Sequence, residues 1–401
     1  METDEFGMRN ESPPLQQHPF VFSFFTRSFI FHHFPYHTTS RYHYVMAPKF
    51  VRPNVRQMDG YTPGEQPAPG ERVVKLNTNE NPFPPSPKVS AAIREIEPES
   101  LRRYPHPAGD LFREAAAKIL GVSADMIICG NGSDDILTIA TRTFIAPGAT
   151  LAVPDPTYSL YPVLAKLEDA KIETVPWGMD WSLPIDDLLA TKADAIYLAN
   201  PNAPSGTFVP PQQVGELASK FDGLLLVDEA YADFAEQNCI GLLSEFKNVV
   251  ISRTMSKAYS LAGMRFGFAI AQPEVIAEMM KVKDSYNCDA LSVIAATAAI
   301  LDQDYAKRTW DHVKAERQRL TSELQQMGWS VLPSHGNFVL ATVPNGRGKS
   351  AYLKLKEQGI LVRFFDKAGL NDKIRITVGT SQENNALLAG IRGISVTEKA
   401  A

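Results

Sequence analysis

The stretch SRTMSKAYSLAGMRFG, residues 252–267, follows directly on the apolar run NVVIS, residues 248–252, and sets a single lysine, Lys257, in a loop of small residues ahead of Arg265. A run rich in β-branched residues and bounded by polar ones suits a strand buried on both faces of a parallel sheet. Most lysines sit on a solvated surface, but this one has Ser256 and Arg265 for neighbours. A hydroxyl and a permanent cation are the two group types that hold a phosphate monoester. A lysine partly desolvated and pressed against fixed positive charge loses proton affinity, and the resulting neutral amine can form a Schiff base. Lysine, serine and arginine together point to pyridoxal phosphate bound through Lys257.

Outward from this loop, MIIC (126–129), TLAV (150–153), AIYLA (195–199), LLLVD (224–228) and NVVIS are short apolar runs separated by helical stretches across residues 111–280. The alternation predicts an α/β fold with a mostly parallel sheet covered by helices. A long helical region from about residue 273 includes the charged stretch 305–327. It leads to a smaller α+β segment with candidate strands at 338–343, 360–364 and 373–378. Residues 46–70 are rich in proline and glycine and read as an extended arm of the kind that reaches a partner subunit. The expected division is 46–103 for the arm and part of a small domain, 104–287 for a large cofactor-binding domain, and 288–401 for the small domain with its connecting helix.

At 401 residues and 44% apolar content the chain is long enough for two substantial cores. Its net charge of -5 comes without a basic block, which disfavours nucleic acid as a partner. Three scattered cysteines, Cys129, Cys239 and Cys288, form no CxxC pair. They suit a reducing compartment, expected to be the cytoplasm, and argue against a disulfide framework or a metal site. Residues 1–45 hold five of the 8 histidines and eight of the 21 phenylalanines without an amphipathic period. The run FVFSFFTRSFIF (20–31) is too short to span a bilayer and contains Arg27. The expectation is a disordered extension, or a start assigned ahead of Met46.

In a doubly wound sheet, ligands bind beyond the carboxyl ends of the strands. Asn202 in NPNAPSG, Asp228 in VDEAY and Lys257 fall at three such ends in turn. A buried Asp228 needs a cation, and a protonated pyridine nitrogen is one; a helix N-cap is the plainer role. Tyr231 and Asn202 have hydrogen-bonding groups suited to the ring's phenolic oxygen, and Glu229 suits support of the turn. GNGSDD (130–135) opens a helix whose free N–H groups and dipole favour an anion, which makes the Ser133 and Asp134 amides a phosphate cradle. Tyr158, in PDPTYSLY, suits stacking on a ring face. Arg375, inside the apolar strand pattern KIRITVG, requires an anionic partner, either a structural carboxylate or a substrate group; Arg363 in ILVRFF poses the same question.

These motifs resemble those of the class I/II aminotransferases, fold-type I pyridoxal-phosphate enzymes, over roughly residues 51–393. The matching pieces are DGYTPGEQ (59–66), LNTNENPFPPSP (76–87), RYPHP (103–107), NPNAPSG (200–206), VDEAY (227–231), RTMSKAYSLAGMRFG (253–267), GILVR (359–363) and RITVGT (375–380). NENP with RYP and SKAYSLAGMRFG is most similar to the branch that acts on histidinol phosphate. The resemblance implies a homodimer that moves an amino group between L-histidinol phosphate and 2-oxoglutarate. It implies that Lys257 is the Schiff-base lysine and proton carrier, that Asp228 pairs with the pyridine nitrogen, and that Tyr231 and Asn202 meet the phenolic oxygen. Ser256, Arg265 and the Ser133 and Asp134 amides would hold the phosphate, joined by Tyr104 from the neighbouring subunit. Tyr61 and Arg375, with Arg363 in support, would bind substrate. One departure bears on Asn202: many relatives read PNNPTG where this chain has Ala203 and Ser205. Aromatic amino acid aminotransferases and threonine-phosphate decarboxylases share nearly all these motifs.

Overall fold

The computed structural model describes residues 48–399 apart from Pro69, with side chains as far as residue 394. The extension at residues 1–45 lies outside the described residues. Seven strands, β1 (Ile127–Gly130), β2 (Thr150–Asp155), β3 (Lys171–Pro176), β4 (Ala195–Ala199), β5 (Leu224–Asp228), β6 (Val249–Thr254) and β7 (Gly267–Ile270), build the larger sheet. Their order is β1-β7-β6-β5-β4-β2-β3. The pairings from β3 through β6 are parallel, and β7 runs antiparallel between β6 and β1. Every residue of β4, β5 and β6 is buried. The two-residue period of a strand sends their side chains alternately into two cores: Leu225 and Val227 join one apolar cluster, and Leu226 joins the other.

Two strands of this sheet escape the sequence pattern. The run β3 is an edge strand with mostly exposed, polar residues, so it lacks the apolar signature of its neighbours. The short β7, GFAI, hides in the tail of the lysine loop and contributes the antiparallel pairings. In the register, Ala199 lies opposite Asp228 and Asp228 opposite Ser252. The carboxyl ends of β4 and β5 therefore finish at one level, β6 runs two residues further to Thr254, and residues from all three ends line a common cavity.

A second, antiparallel sheet of β8 (Ser330–Val331), β9 (Phe338–Thr342), β10 (Arg363–Phe364) and β11 (Lys373–Thr377) runs in the order β10-β11-β9-β8. The single strand expected at 360–364 divides at Val362. Ile360–Leu361 pairs in parallel with Val74–Lys75, and only the remainder joins the antiparallel sheet. Beyond Lys75 the chain stays tied to β11 and its surroundings. The Thr377 amide donates to the Leu76 carbonyl at 2.9 Å, the Asn79 amide donates to Thr377 Oγ1 at 3.0 Å, and Asn337 Nδ2 donates to the Asn79 carbonyl at 2.9 Å. Residues 48–70 are not wholly extended. A short helix, Pro53–Gln57, docks on its own chain, with Arg52 Nη2 donating to the Leu167 carbonyl at 3.0 Å and Asn54 Nδ2 to that of Lys166 at 2.9 Å.

Four helices matter below: α1 (Ser133–Phe144), α2 (Leu160–Leu167), α3 (Gln303–Gln326) and α4 (Ser381–Lys399). Among the described residues no helix is long and apolar enough to cross a membrane. Glu316, buried on α3, ties that helix to α4: its carboxylate accepts from Arg319 at 2.7 Å, from Asn384 Nδ2 at 2.7 Å and from Ser381 Oγ at 3.0 Å. Burial alone would raise its pKa, but these bonds outweigh it and hold the carboxyl at about 2, against 4.5 when free. Glu316→Gln is expected to cost about 2–3 kcal/mol at neutral pH in a urea titration. The native pKa lies below the unfolded one, so this stabilisation is complete above pH 4.5 and fades as the pH falls toward 2. The two proteins should converge there, and a constant gap down to the acid limb would exclude the linkage.

Candidate active site

The strand ends and the β10–β11 pair surround one cavity of about 590 Å³. Lys257 reaches into it from the loop after β6, and its Nζ donates to the Thr78 carbonyl at 2.8 Å. Its pKa is pulled from 10.5 to about 8, first by burial and second by the charge of Arg375. The lowered pKa matches the expectation for an activated amine, but the neighbouring cation responsible is Arg375, brought in from β11, rather than Arg265. Burial dominates because a desolvated ammonium has lost its strongest partner, water.

Asp228 ends β5 and is buried beneath the cavity floor. It accepts from the Tyr161 hydroxyl at 2.9 Å and from the Ala230 amide at 3.2 Å. Burial raises its carboxyl to about 6; the Tyr161 bond opposes the rise, and the charges of Asp134 and Glu229 add to it. A carboxylate held in this way is improved by a cation, which is what a ring N–H⁺ would bring. The Tyr231 hydroxyl lines the same cavity and receives a bond from Asn79 Nδ2 at 3.0 Å. The Lys257 Nζ lies 5.9 Å from the Tyr231 ring centroid.

Helix α1 begins without a side-chain cap, so its first amides, those of Ser133 and Asp134, remain available at the positive end of the helix dipole. Two glycines make the cradle possible. Gly132 has φ +90°, and a Cβ there would stand 2.7 Å from Arg265 Nη2; a Cβ on Gly267 would stand 2.4 Å from the Ser133 amide nitrogen. Arg265 Nη1 lies 3.4 Å from Ser256 Oγ, closing the other side. Free amides, a hydroxyl and a guanidinium fit a phosphate monoester. The Asp134 carboxylate accepts from the Tyr158 hydroxyl at 3.1 Å and lies 3.6 Å from Arg265 Nη2.

The opposite wall is basic. Arg363 and Arg375 are cross-strand partners on β10 and β11. Like charges placed directly opposite destabilise a sheet unless an anion joins them. Arg375 donates one bond, to the Asn77 carbonyl at 3.1 Å, and its guanidinium lies 5.3 Å from the Phe338 ring and 5.5 Å from that of Phe365. Its Nε is buried without a partner, and among the described residues no carboxylate salt-bridges it, which favours a substrate anion over a structural ion pair. Arg363 spends its donors on the Pro63 and Thr62 carbonyls at 3.3 Å, so it braces the segment that carries Tyr61. The Tyr61 ring packs edge-on against Tyr158 at 5.8 Å, and Tyr158 is held there by Tyr161 as well.

Two expected residues stay outside the cavity. Asn202 turns its amide away, donating to the Pro156 carbonyl at 3.1 Å and to Ser205 Oγ at 2.8 Å; the Ala203 methyl lines the cavity in its place. Tyr104 is 80% exposed on this chain and stacks on Tyr286 with centroids 4.3 Å apart. The structure also supplies partners that the sequence reading missed: Tyr161 for Asp228, Asn79 for Tyr231, the Thr78 carbonyl for Lys257 and the Asn77 carbonyl for Arg375. Tyr161 was within reach, because it ends the same PDPTYSLY motif, three residues after Tyr158. Asn79 adopts φ +57°, a left-handed conformation that asparagine tolerates better than most residues.

The family model for aminotransferase class I and II matches residues 71–391. Histidinol-phosphate aminotransferase 1 of Trichormus variabilis is 48% identical over 345 residues, covering 86% of this chain and 99% of that protein. The histidinol-phosphate aminotransferase of Rhodopirellula baltica is 45% identical over 340 residues, covering 84% and 93%. The crystal structure of histidinol-phosphate aminotransferase from Sinorhizobium meliloti in complex with pyridoxal-5'-phosphate superposes with a TM-score of 0.80 at 28% identity, covering 87% of this chain and 99% of that one. With the lysine, the buried carboxylate and the phosphate cradle in one cavity, these matches establish that the chain belongs to the class I and II aminotransferases.

Proposed function

We propose that this chain transfers an amino group between L-histidinol phosphate and 2-oxoglutarate, yielding imidazole-acetol phosphate and L-glutamate in histidine biosynthesis, with pyridoxal phosphate as cofactor. The observation that carries the reading is a lysine of lowered pKa in a cavity with a phosphate cradle at one side and the unpaired Nε of Arg375 at the other. Bound pyridoxal phosphate supplies the electron sink that makes a substrate Cα proton acidic.

The chain's own residues do the rest. Lys257, with a pKa of about 8, is neutral in about one molecule in ten at pH 7, enough to attack a carbonyl and then to carry a proton to and from Cα. The Thr78 carbonyl orients its Nζ without neutralising it as a carboxylate would. Asp228, steadied by Tyr161, would pair with the pyridine nitrogen and favour its protonated form. Tyr231, placed by Asn79, meets the phenolic oxygen, and the withdrawal of Asn202 leaves that task to Tyr231. The Ser133 and Asp134 amides, Ser256 and Arg265 hold the cofactor phosphate, and Tyr158 covers the ring. Arg375 binds the substrate phosphate in one half-reaction and a carboxylate in the other, while Arg363 and Tyr61 close the entrance.

In this reading residues 104–287 form the cofactor-binding domain, and 46–103 with 288–401 the substrate-closing one. Exposed Tyr104, Tyr286, Leu101 and Leu291 support a homodimer in which Tyr104 reaches the partner's cofactor site. The three buried, unpaired cysteines are consistent with a cytoplasmic enzyme.

The test is to incubate the purified chain with histidinol phosphate and 2-oxoglutarate and follow glutamate; carbon dioxide released from threonine phosphate without amino transfer would overturn the reading. Lys257→Ala should lower amino transfer by at least about 10³-fold and leave no cofactor attached after borohydride reduction, as read by intact mass. Because the neutral amine is the reactive form, capture of the cofactor by cofactor-free protein should accelerate roughly tenfold per pH unit below pH 8 and level off above it. Arg375→Ala should raise KM for histidinol phosphate by about 10²-fold. Arg363→Ala should raise it less, because its donors hold Thr62 and Pro63.

A further inference from the structure

The proposed reaction asks one cavity to accept two unlike substrates in turn. Histidinol phosphate carries a phosphate arm and an imidazole arm on either side of its amine-bearing carbon. Its partner, 2-oxoglutarate, carries a carboxylate at each end. Arg375 answers the anion common to both. The other arm must meet a group that accepts from an imidazole N–H in one half-reaction and attracts a carboxylate in the next.

Asp155 and Lys367 provide both. Asp155 ends β2 and Lys367 lies in the loop between β10 and β11; both line the cavity. The Lys367 Nζ donates to both Asp155 carboxylate oxygens, at 2.7 and 2.9 Å. The same cavity is also lined by Tyr158, Val163, Phe365 and Leu370, apolar and aromatic side chains that suit an imidazole ring.

The remaining cavity carboxylates are committed elsewhere. Glu80 accepts from Lys75 and Thr78, Asp134 from Tyr158, and Asp228 from Tyr161 and the Ala230 amide. Within the described residues the Asp155 carboxylate is met by the Lys367 side chain alone, whereas Glu80 and Asp134 each have two side-chain partners and Asp228 has a backbone amide besides. Lys367 is 55% exposed and Asp155 32%, so the pair is loosely held and opens at little cost, as solvent-exposed ion pairs do.

Resting on the reading above, we infer that the Asp155–Lys367 pair is the dual-specificity element of the cavity: Asp155 accepts the imidazole N–H of histidinol phosphate, and Lys367 takes the second carboxylate of 2-oxoglutarate. The pair opens for either substrate and closes between them, so neither charge is left unpaired in the empty cavity. Removing one member leaves the other permanently exposed to the cavity, and the two removals act in opposite directions.

The test is steady-state ping-pong kinetics on the cofactor-loaded enzyme, taking the quotient of kcat/KM for histidinol phosphate over kcat/KM for 2-oxoglutarate. Asp155→Ala is expected to lower the quotient at least tenfold, because the unpaired lysine favours the dicarboxylate. Lys367→Met is expected to raise it at least tenfold, because the unpaired carboxylate repels the dicarboxylate and keeps the imidazole. Asp155→Asn, which preserves an acceptor, should fall between wild type and Asp155→Ala. It also stands in if the alanine variant fails to fold, in which case its own quotient must fall for the inference to hold. Quotients within twofold of wild type, or moving the same way in Asp155→Ala and Lys367→Met, would overturn the inference while leaving the proposed reaction intact. A wild-type chain inert toward histidinol phosphate would overturn both.

Discussion

The site depends on keeping one amine partly neutral inside a cavity that must also bind anions. Burial and the charge of Arg375 lower the Lys257 pKa, but a carboxylate in direct contact would cancel that effect. The cavity contains four carboxylates, and none touches Nζ. Glu80 is tied to Lys75 and Thr78, Asp134 to Tyr158, Asp228 to Tyr161 and Asp155 to Lys367. Nζ itself rests on a neutral backbone carbonyl. The hydrogen bonds of the other residues therefore do more than fix geometry: they keep each carboxylate out of direct contact with the lysine, leaving Glu80 and Asp134 to raise its pKa only from a distance.

Three separate pieces of fold meet to produce this arrangement. The parallel strands β4, β5 and β6 pair in register and present Asp228 and the Lys257 loop. The segment after Val74–Lys75, pinned to β11 by Thr377 and Asn79, brings the Thr78 carbonyl to Nζ and the Asn77 carbonyl to Arg375. The β10–β11 pair sets two arginines opposite one another. That pairing weakens the small sheet locally, and the dense apolar packing around Val339, Ile374 and Ile376 offsets it.

Much of the large sheet was legible because β4, β5 and β6 are buried on both faces and therefore read as unbroken apolar runs. The edge strand β3 was not, since solvent on one side admits polar residues, and the 360–364 run concealed a change of sheet that no local pattern marks. Among site residues, Lys257, Asp228, Ser256 and Arg265 were legible because their side chains are unusual for their local surroundings. Asn202 was misplaced: its sequence position at a strand end is right, but the turn rotates its amide onto Pro156 and Ser205 and shows Ala203 to the cavity.

The sequence by itself determined the α/β class and picked out the lysine, the serine and arginine of its loop and the aspartate, because each follows from short-range pattern: strand period, loop composition and helix start. Tertiary structure alone decided which cation depresses the lysine, which tyrosine steadies the aspartate, and which backbone carbonyls orient the amine and Arg375. It also decided that Asp155 and Lys367 meet across 212 residues. These are contacts between segments that share no local signal, and electrostatic effects depend on separation in space, which only the packed chain defines.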